Sequence, residues 1–230
     1  MMIVLLPGMD GTGALFARFT ASCPHEMTTQ VIAFPPREAL DYDALARRVR
    51  DALPRNGRWV LLGESFSGPL ALRLAAAQPE GLAGVVLCAS FLRAPPAARM
   101  GTAVARIVSR ASPPAWVLRR LLAGGDADLA SEVRRALNGV APDVIATRLR
   151  SIAAVDARDD LAQTAVPVLA LSATEDALLG GDAGERITAV RPDVRLVRIP
   201  APHLLLQAAP MLAWEAIATF VQTLGADAGR

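Results

Sequence analysis

The stretch Val60-Leu61-Leu62-Gly63-Glu64-Ser65-Phe66-Ser67-Gly68-Pro69-Leu70-Ala71-Leu72-Arg73-Leu74-Ala75 constrains this chain more than any other. It opens with an apolar run dense enough for a strand buried on both faces. It then turns on small residues and continues with apolar residues at helical spacing. A strand that turns sharply into a helix strains the residue at the turn and lifts its side chain clear of the sheet. The helix N-terminus aims its N–H groups at the same point. Ser65 occupies that turn, and Gly63, Ser67 and Gly68 let strand and helix approach closely. The pattern G-x-S-x-G is met except at its fifth position, where Ser67 stands and the glycine follows at Gly68. The same residues also suit an ordinary strand-to-helix turn with a serine cap, so the rest of the chain has to decide between the two.

The chain in order alternates strand and helix signals. Ile3–Leu6 is a predicted buried strand, followed by the glycine-rich loop Pro7-Gly8-Met9-Asp10-Gly11-Thr12-Gly13 and a helix from about Ala14. That loop has three readings: a dinucleotide turn, an oxyanion loop, or a plain strand-to-helix connection. Its glycine order is G-x-x-G-x-G, and the next strand, Val31–Phe34, ends in Pro35-Pro36 with no acid for a ribose hydroxyl, which argues against the nucleotide. A helix over about Asp43–Leu53 places Leu45, Val49 and Leu53 on one face and stops at Pro54. Further strands are predicted at Trp59–Leu62, Val85–Ala89, Val166–Leu171 and Val194–Ile199, with helices at Asp182–Val190 and from about Leu205 or Gln207 to Leu224. The tail from Gly225 is expected to fray.

From Arg93 to about Asp160 strand signals cease. Amphipathic pieces around Ile107, Trp116–Leu122, Val133–Leu137 and Val144–Ile152 are separated by Pro113-Pro114, Gly124-Gly125 and Asn138-Gly139. A single crossover needs only a dozen or more residues, so this segment is expected to be an inserted helical cap, residues 93–160, on a core formed by 1–92 and 161–230. The alternative is a run of ordinary crossover helices.

Composition excludes several functions. With 230 residues, 53% of them hydrophobic, the chain can bury one large core, and at 4% aromatic that core is aliphatic. A net charge of +2 is too small to suggest nucleic acid. There is no lysine, so every basic side chain other than the two histidines is arginine. Cys23 and Cys88 are isolated, not a disulfide framework, and Cys88 lies in an apolar run that would bury it. The N-terminal apolar run is too short and lacks the basic start of a signal peptide, and no run reaches membrane-spanning length, so the expected location is the cytoplasm.

Three groups stand just past the C-terminal ends of predicted strands, where open α/β sheets bind ligands. In chain order they are Ser65, an acid at Asp176 or Glu175, and His203. Serine is a poor nucleophile unless a base lies within hydrogen-bond reach. Histidine has the right proton affinity, and a carboxylate holds its tautomer and stabilises its charged form. His25, in a connection between elements, is expected at the surface. Asp156, Asp159 and Asp160 precede their strand and sit at its wrong end.

On these residues the chain resembles the α/β-hydrolase superfamily from its first strand to its last helix. Gly63–Gly68 is similar to the family's nucleophile elbow, Thr174-Glu175-Asp176-Ala177-Leu178-Leu179 to its acid loop, and Ala201-Pro202-His203 to its histidine loop. The acid-loop resemblance favours Asp176 over Glu175. Leu6-Pro7-Gly8-Met9 resembles the oxyanion loop, with Pro7 where the family has histidine, and implies that the Met9 and Phe66 N–H groups form an oxyanion hole. The two glycine-rich motifs together resemble a subgroup of small bacterial serine esterases and thioesterases. Val155-Asp156-Ala157-Arg158-Asp159-Asp160-Leu161 is similar to a segment of the pimeloyl-carrier methyl ester esterases.

The resemblance implies an α/β-hydrolase fold lacking the first two strands: a six-stranded, all-parallel sheet with helices on both faces and a helical cap. Its first edge would be Val31–Phe34 and uncovered, which favours pairing there. The implied chemistry is a serine hydrolase acting on a carboxylic ester or thioester, without cofactor or metal. An acyltransferase using the same acyl-enzyme and a non-catalytic small-molecule binder on the same scaffold are the alternatives. The apolar cap faces, Trp116 and Leu118 among them, are expected to roof the substrate pocket. The segment from Arg93 to Asp160 holds eleven arginines and seven acids, a surplus that could dock an acidic acyl-carrier protein or simply form a solvated face.

Overall fold

The computed structural model describes residues 1–94 and 114–226. The predicted helical piece around Ile107 lies outside the described residues, as do residues 227–230. Elements are numbered below over the described residues.

Six strands form one sheet in the order β2-β1-β3-β4-β5-β6, and every neighbouring pair is parallel. They are β1 (Met2–Leu6), β2 (Thr28–Val31), β3 (Trp59–Glu64), β4 (Leu82–Cys88), β5 (Val168–Ala173) and β6 (Arg195–Ile199). The four central strands are near-continuous apolar runs because both sheet faces are covered. Alternate side chains sort to opposite faces. Val4, Leu6 and Leu61 join one core with Leu45, Val49, Leu70, Leu74, Leu161 and Ile187. Ile3, Leu5, Val60 and Leu62 join the other with Phe16, Phe19, Trp214, Ile217 and Phe220.

The helices covering the first face are α2 (Tyr42–Ala52), α3 (Ser67–Ala76), α7 (Arg158–Gln163) and α8 (Ala183–Thr188). The second face is covered by α1 (Ala17–Ala21), α9 (Leu205–Ala208) and α10 (Pro210–Ala226). Local chemistry sets their ends. The Asp41 carboxylate accepts from Ala44 N–H at the start of α2, and Leu53, forced extended before Pro54, closes it.

Between β4 and β5 lie α4 (Ala115–Leu121), α5 (Ala127–Asn138) and α6 (Pro142–Ala154). Asp126 caps α5 through Asp128 and Leu129 N–H, and Pro142 opens α6 where a missing N–H costs nothing. The two ends of the segment meet before α7 carries the chain back along the sheet to the start of β5. Arg93 and Asp156 form an isolated antiparallel bridge and an ion pair at 3.5 Å, and Ala157 N–H donates to Leu92 O at 2.8 Å.

The second strand corrects the sequence expectation. It runs Thr28–Val31, not Val31–Phe34. As an edge strand it tolerates polar residues. Ile32 and Phe34, the apolar signal, instead bury under the first core as the chain leaves the sheet. Gly225 is also still helical, as α10 continues to Ala226. Among the described residues no helix is long and apolar enough to cross a membrane.

Candidate active site

Ser65 stands between β3 and α3 with φ 49°, a left-handed conformation rare for a residue with a Cβ. The surroundings hold it there. Ser65 N–H donates to Cys88 O at 2.8 Å, while Ser90 Oγ and Gly68 N–H donate to Ser65 O at 2.7 and 3.1 Å. A Cβ on Gly63 would lie 2.5 Å from Ser67 O, and one on Gly68 would lie 1.8 Å from Ser90 Oγ. Close approach therefore needs glycine at 63 and 68. Position 67 is free to carry a hydroxyl, which is buried and donates to Pro7 O. That accounts for the displaced glycine of the elbow motif.

Three side chains meet at the C-terminal edge of the sheet. Ser65 Oγ lies 2.8 Å from His203 Nε2, and His203 Nδ1 lies 2.7 Å from Asp176 Oδ2. His203 and Asp176 are buried, whereas Ser65 is half-exposed. The second carboxylate oxygen of Asp176 accepts from Leu178 and Leu179 N–H, both at 2.8 Å. These bonds fix its orientation. Glu175, the competing acid, is exposed, and so is His25.

The glycine-rich loop runs beside Ser65: a Cβ on Gly8 would come within 3.9 Å of Ser65 Cβ. Met9 is half-exposed there. Phe66 precedes the first turn of α3, where backbone N–H groups have no partner within the helix. Tyr42 holds this peptide in place, its hydroxyl donating to Phe66 O at 2.7 Å and its ring stacked on the Phe66 ring at 4.8 Å. Asp10 is buried and accepts from Thr12 N–H at 2.9 Å and from the Thr12 hydroxyl.

Below the serine lies a buried carboxyl that pattern reading passed over. Glu64 accepts from Gln207 Nε2 at 2.9 Å, and Gly8 N–H also supports it. Burial pushes its carboxyl up to about 7, Asp10 adds to the rise, and Gln207, His203 and Gly8 oppose it. The Cys88 thiol is held well above its ordinary value, first by burial and then by Glu64 and Asp176, so it stays protonated and inert. No group of acidic, cysteine or histidine side chains suited to a metal ion occurs among the described residues.

The β4–β5 segment meets the histidine loop and the connection that follows β2. Leu204 N–H, next to His203, donates to Leu122 O at 3.1 Å, and Gly124 packs on Pro202. Ala141 N–H donates to Pro36 O at 2.8 Å. Leu118 is buried with Leu15, Leu129, Val133 and Leu204, whereas Trp116 is 67% exposed.

A parallel sheet with its serine, histidine and carboxylate gathered at the strand C-termini defines a protein of the α/β hydrolase class. The sequence model of the Alpha/beta hydrolase family matches residues 3–219, and the chain belongs to that family. Solved structures of similar fold include a hydrolase from Oleispira antarctica (TM-score 0.82, 15% identity, 96% of this chain and 90% of that one). A thermophilic esterase from Thermogutta terrifontis aligns with TM-score 0.77 and 23% identity over 97% of this chain and 90% of its own. The enol-lactonase of Burkholderia xenovorans aligns with TM-score 0.77 and 19% identity, again over 97% and 90%.

Proposed function

We propose that this α/β hydrolase is a serine hydrolase of carboxylic esters or thioesters. The carrying observation is the continuous contact from Ser65 Oγ through His203 to Asp176 at 2.8 and 2.7 Å, with Ser65 strained at the strand end. Ser65 Oγ attacks the carbonyl carbon while His203 Nε2 takes its proton. Asp176 holds the Nδ1–H tautomer and stabilises the imidazolium. The oxyanion is received by Met9 and Phe66 N–H, each donor typically worth about 3 kcal/mol. As the bond to the leaving group breaks, His203 returns the proton to it. Water, deprotonated by His203, then cleaves the acyl-enzyme and restores Ser65.

An esterase and an enol-lactonase among the proteins of similar fold support this substrate class. Residues 93–160 would act as the cap, with exposed Trp116 contacting the acyl group and Leu118 supporting the roof from behind. A second reading, docking of an acidic acyl carrier, is favoured by the exposure of Arg119, Arg120, Arg134 and Arg135 on α4 and α5. Transfer of the acyl group to an alcohol or thiol would use the same intermediate.

A fluorophosphonate should label the wild type and fail to label Ser65→Ala; labelling that persists there removes Ser65 from the nucleophile's role. On a panel of p-nitrophenyl esters and acyl thioesters of graded length, Asp176→Asn should lower kcat by about 10⁴ through loss of the correct tautomer. Glu175→Gln should leave turnover nearly intact, and the reverse ranking would transfer the acid's role. Product analysis with added alcohols or thiols separates hydrolysis from transfer.

A further inference from the structure

The oxyanion loop is held by one buried cation from outside the core. Arg148 projects from α6, in the β4–β5 insertion, and is 1% exposed. Its Nη1 donates to Met9 O and Asp10 O, both at 2.8 Å, and its Nη2 donates to Pro35 O at 3.2 Å. The guanidinium carbon stands 5.6 Å from the centroid of the Phe34 ring. Gly11, at φ 68°, opens the space: a Cβ there would lie 2.6 Å from Arg148 Nη1. A buried charge needs hydrogen bonds in place of its water, and here backbone carbonyls supply them to both Nη groups, while the buried Nε has no partner. Asp10 supports the cation electrostatically while burial lowers its proton affinity, to about 10, so it stays charged at neutral pH.

Four successive carbonyls of the loop are thereby fixed. Pro7 O accepts from Ser67, Gly8 O from Gly11 N–H at 3.0 Å, and Met9 O and Asp10 O from Arg148. Peptide planarity couples each carbonyl to the following N–H. Holding Gly8 O therefore directs Met9 N–H the opposite way, and holding Met9 O and Asp10 O stops the loop from rotating about the next residues. The first anchor comes from α3, the second from within the loop itself, and the last two from the insertion through one side chain.

We propose that Arg148 is a positioning residue that sets the oxyanion loop, so that the insertion tunes transition-state stabilisation as well as covering the site. This rests on the serine-hydrolase reading with Met9 as an oxyanion donor. Arg148 touches neither substrate nor reacting atoms. Its loss should lower kcat and leave ground-state binding nearly unchanged, because misplacing a donor weakens only what is bound more tightly in the transition state.

The test uses the full chain and p-nitrophenyl acetate. Arg148→Met and Arg148→Ala should lower kcat about 10- to 100-fold with KM changed less than about threefold. Millimolar guanidinium should restore part of kcat in Arg148→Ala, and Arg148→Lys should retain more activity than Arg148→Met. Arg150→Ala, an exposed position on the same helix, should match the wild type and gain nothing from guanidinium. If Arg148→Met or Arg148→Ala fails to fold, folding and turnover of Arg148→Lys, and recovery by guanidinium, decide the matter. Wild-type kcat in the folded Arg148 variants, a loss expressed only in KM, or a loss that guanidinium does not relieve overturns the proposal. A wild type that neither hydrolyses the ester nor takes up a fluorophosphonate instead overturns the serine-hydrolase reading, and this proposal with it.

Discussion

Glu64 shows how one residue in this site can be costly and still retained. It is the last residue of β3, precedes Ser65 and bonds to Gln207 on α9, next to the histidine loop, with Gly8 on the glycine-rich loop also supporting it. It thus links three pieces of the site from beneath. Its carboxyl is raised from 4.5 to about 7, chiefly by burial. A group raised on folding holds its proton more tightly in the native state. Its contribution to stability is fully present below about 4.5 and is lost as the pH rises through about 7. The span corresponds to on the order of 3 kcal/mol. Glu64→Gln keeps the shape without the charge and should remove that decline. Denaturant unfolding at pH 5 and pH 8 checks this: the variant's stability relative to the wild type should rise between the two. A difference that does not change with pH would mean that Glu64 titrates as an ordinary carboxyl. Sequence patterns pointed to Ser65, Asp176 and His203 because each is a reactive type beside a predicted strand end. Glu64 and Ser67 stand at the same strand end as Ser65, but their roles, like those of Tyr42 and Arg148, rest on backbone and amide partners distant in the chain.

At the scale of the element, the elbow between β3 and α3 depends on how closely three segments can approach. Gly68 faces Ser90 at the end of β4, and Ser90 in turn holds Ser65 O. Gly68→Ala would drive a methyl into Ser90 Oγ and Cβ, with ideal separations of 1.8 and 2.6 Å. It should destabilise the fold by about 1–3 kcal/mol, in the range for overpacking, and lower turnover by displacing the Ser65 carbonyl. Adding Ser90→Gly to Gly68→Ala should return part of the stability, measured as the coupling in a double-mutant cycle. Additive effects would place the strain elsewhere. The helices and central strands were legible because their apolar period matches the faces they bury. β2 was misplaced because an edge strand is defined by its hydrogen bonds to β1, from Met2↔Thr28 to Leu5↔Val31, and not by hydrophobicity. The apolar Ile32 and Phe34 signalled burial correctly, but it is the burial of a departing loop.

Over the described residues, the molecule is a sheet that gathers Ser65, His203 and Asp176 at one edge, with the β4–β5 segment packed against the loops beside them. The exposed arginines of α4 and α5 make that segment the place to test carrier docking. If charge guides an acyl carrier, turnover of the carrier substrate should fall steeply with ionic strength while a short uncharged ester is insensitive. Arg119→Glu/Arg120→Glu should lower the carrier activity alone. A ratio of the two activities that ignores both salt and these substitutions would rule out carrier docking on these helices.

By itself the sequence determined the alternation of strand and helix and the order of serine, acid and histidine along it, which follow from local periodicity and from residue types whose chemistry is intrinsic. The parallel six-stranded sheet was implied by the resemblance of its motifs to those of the α/β hydrolases. Only the tertiary structure decided that Gly68, not residue 67, carries the close contact, that Glu64 is buried among partners from α9 and the glycine-rich loop, and that Arg148 crosses from the insertion to the carbonyls of Met9 and Asp10. These depend on separations between segments up to 143 residues apart. Such contacts have no period and leave no trace in any single window of the chain.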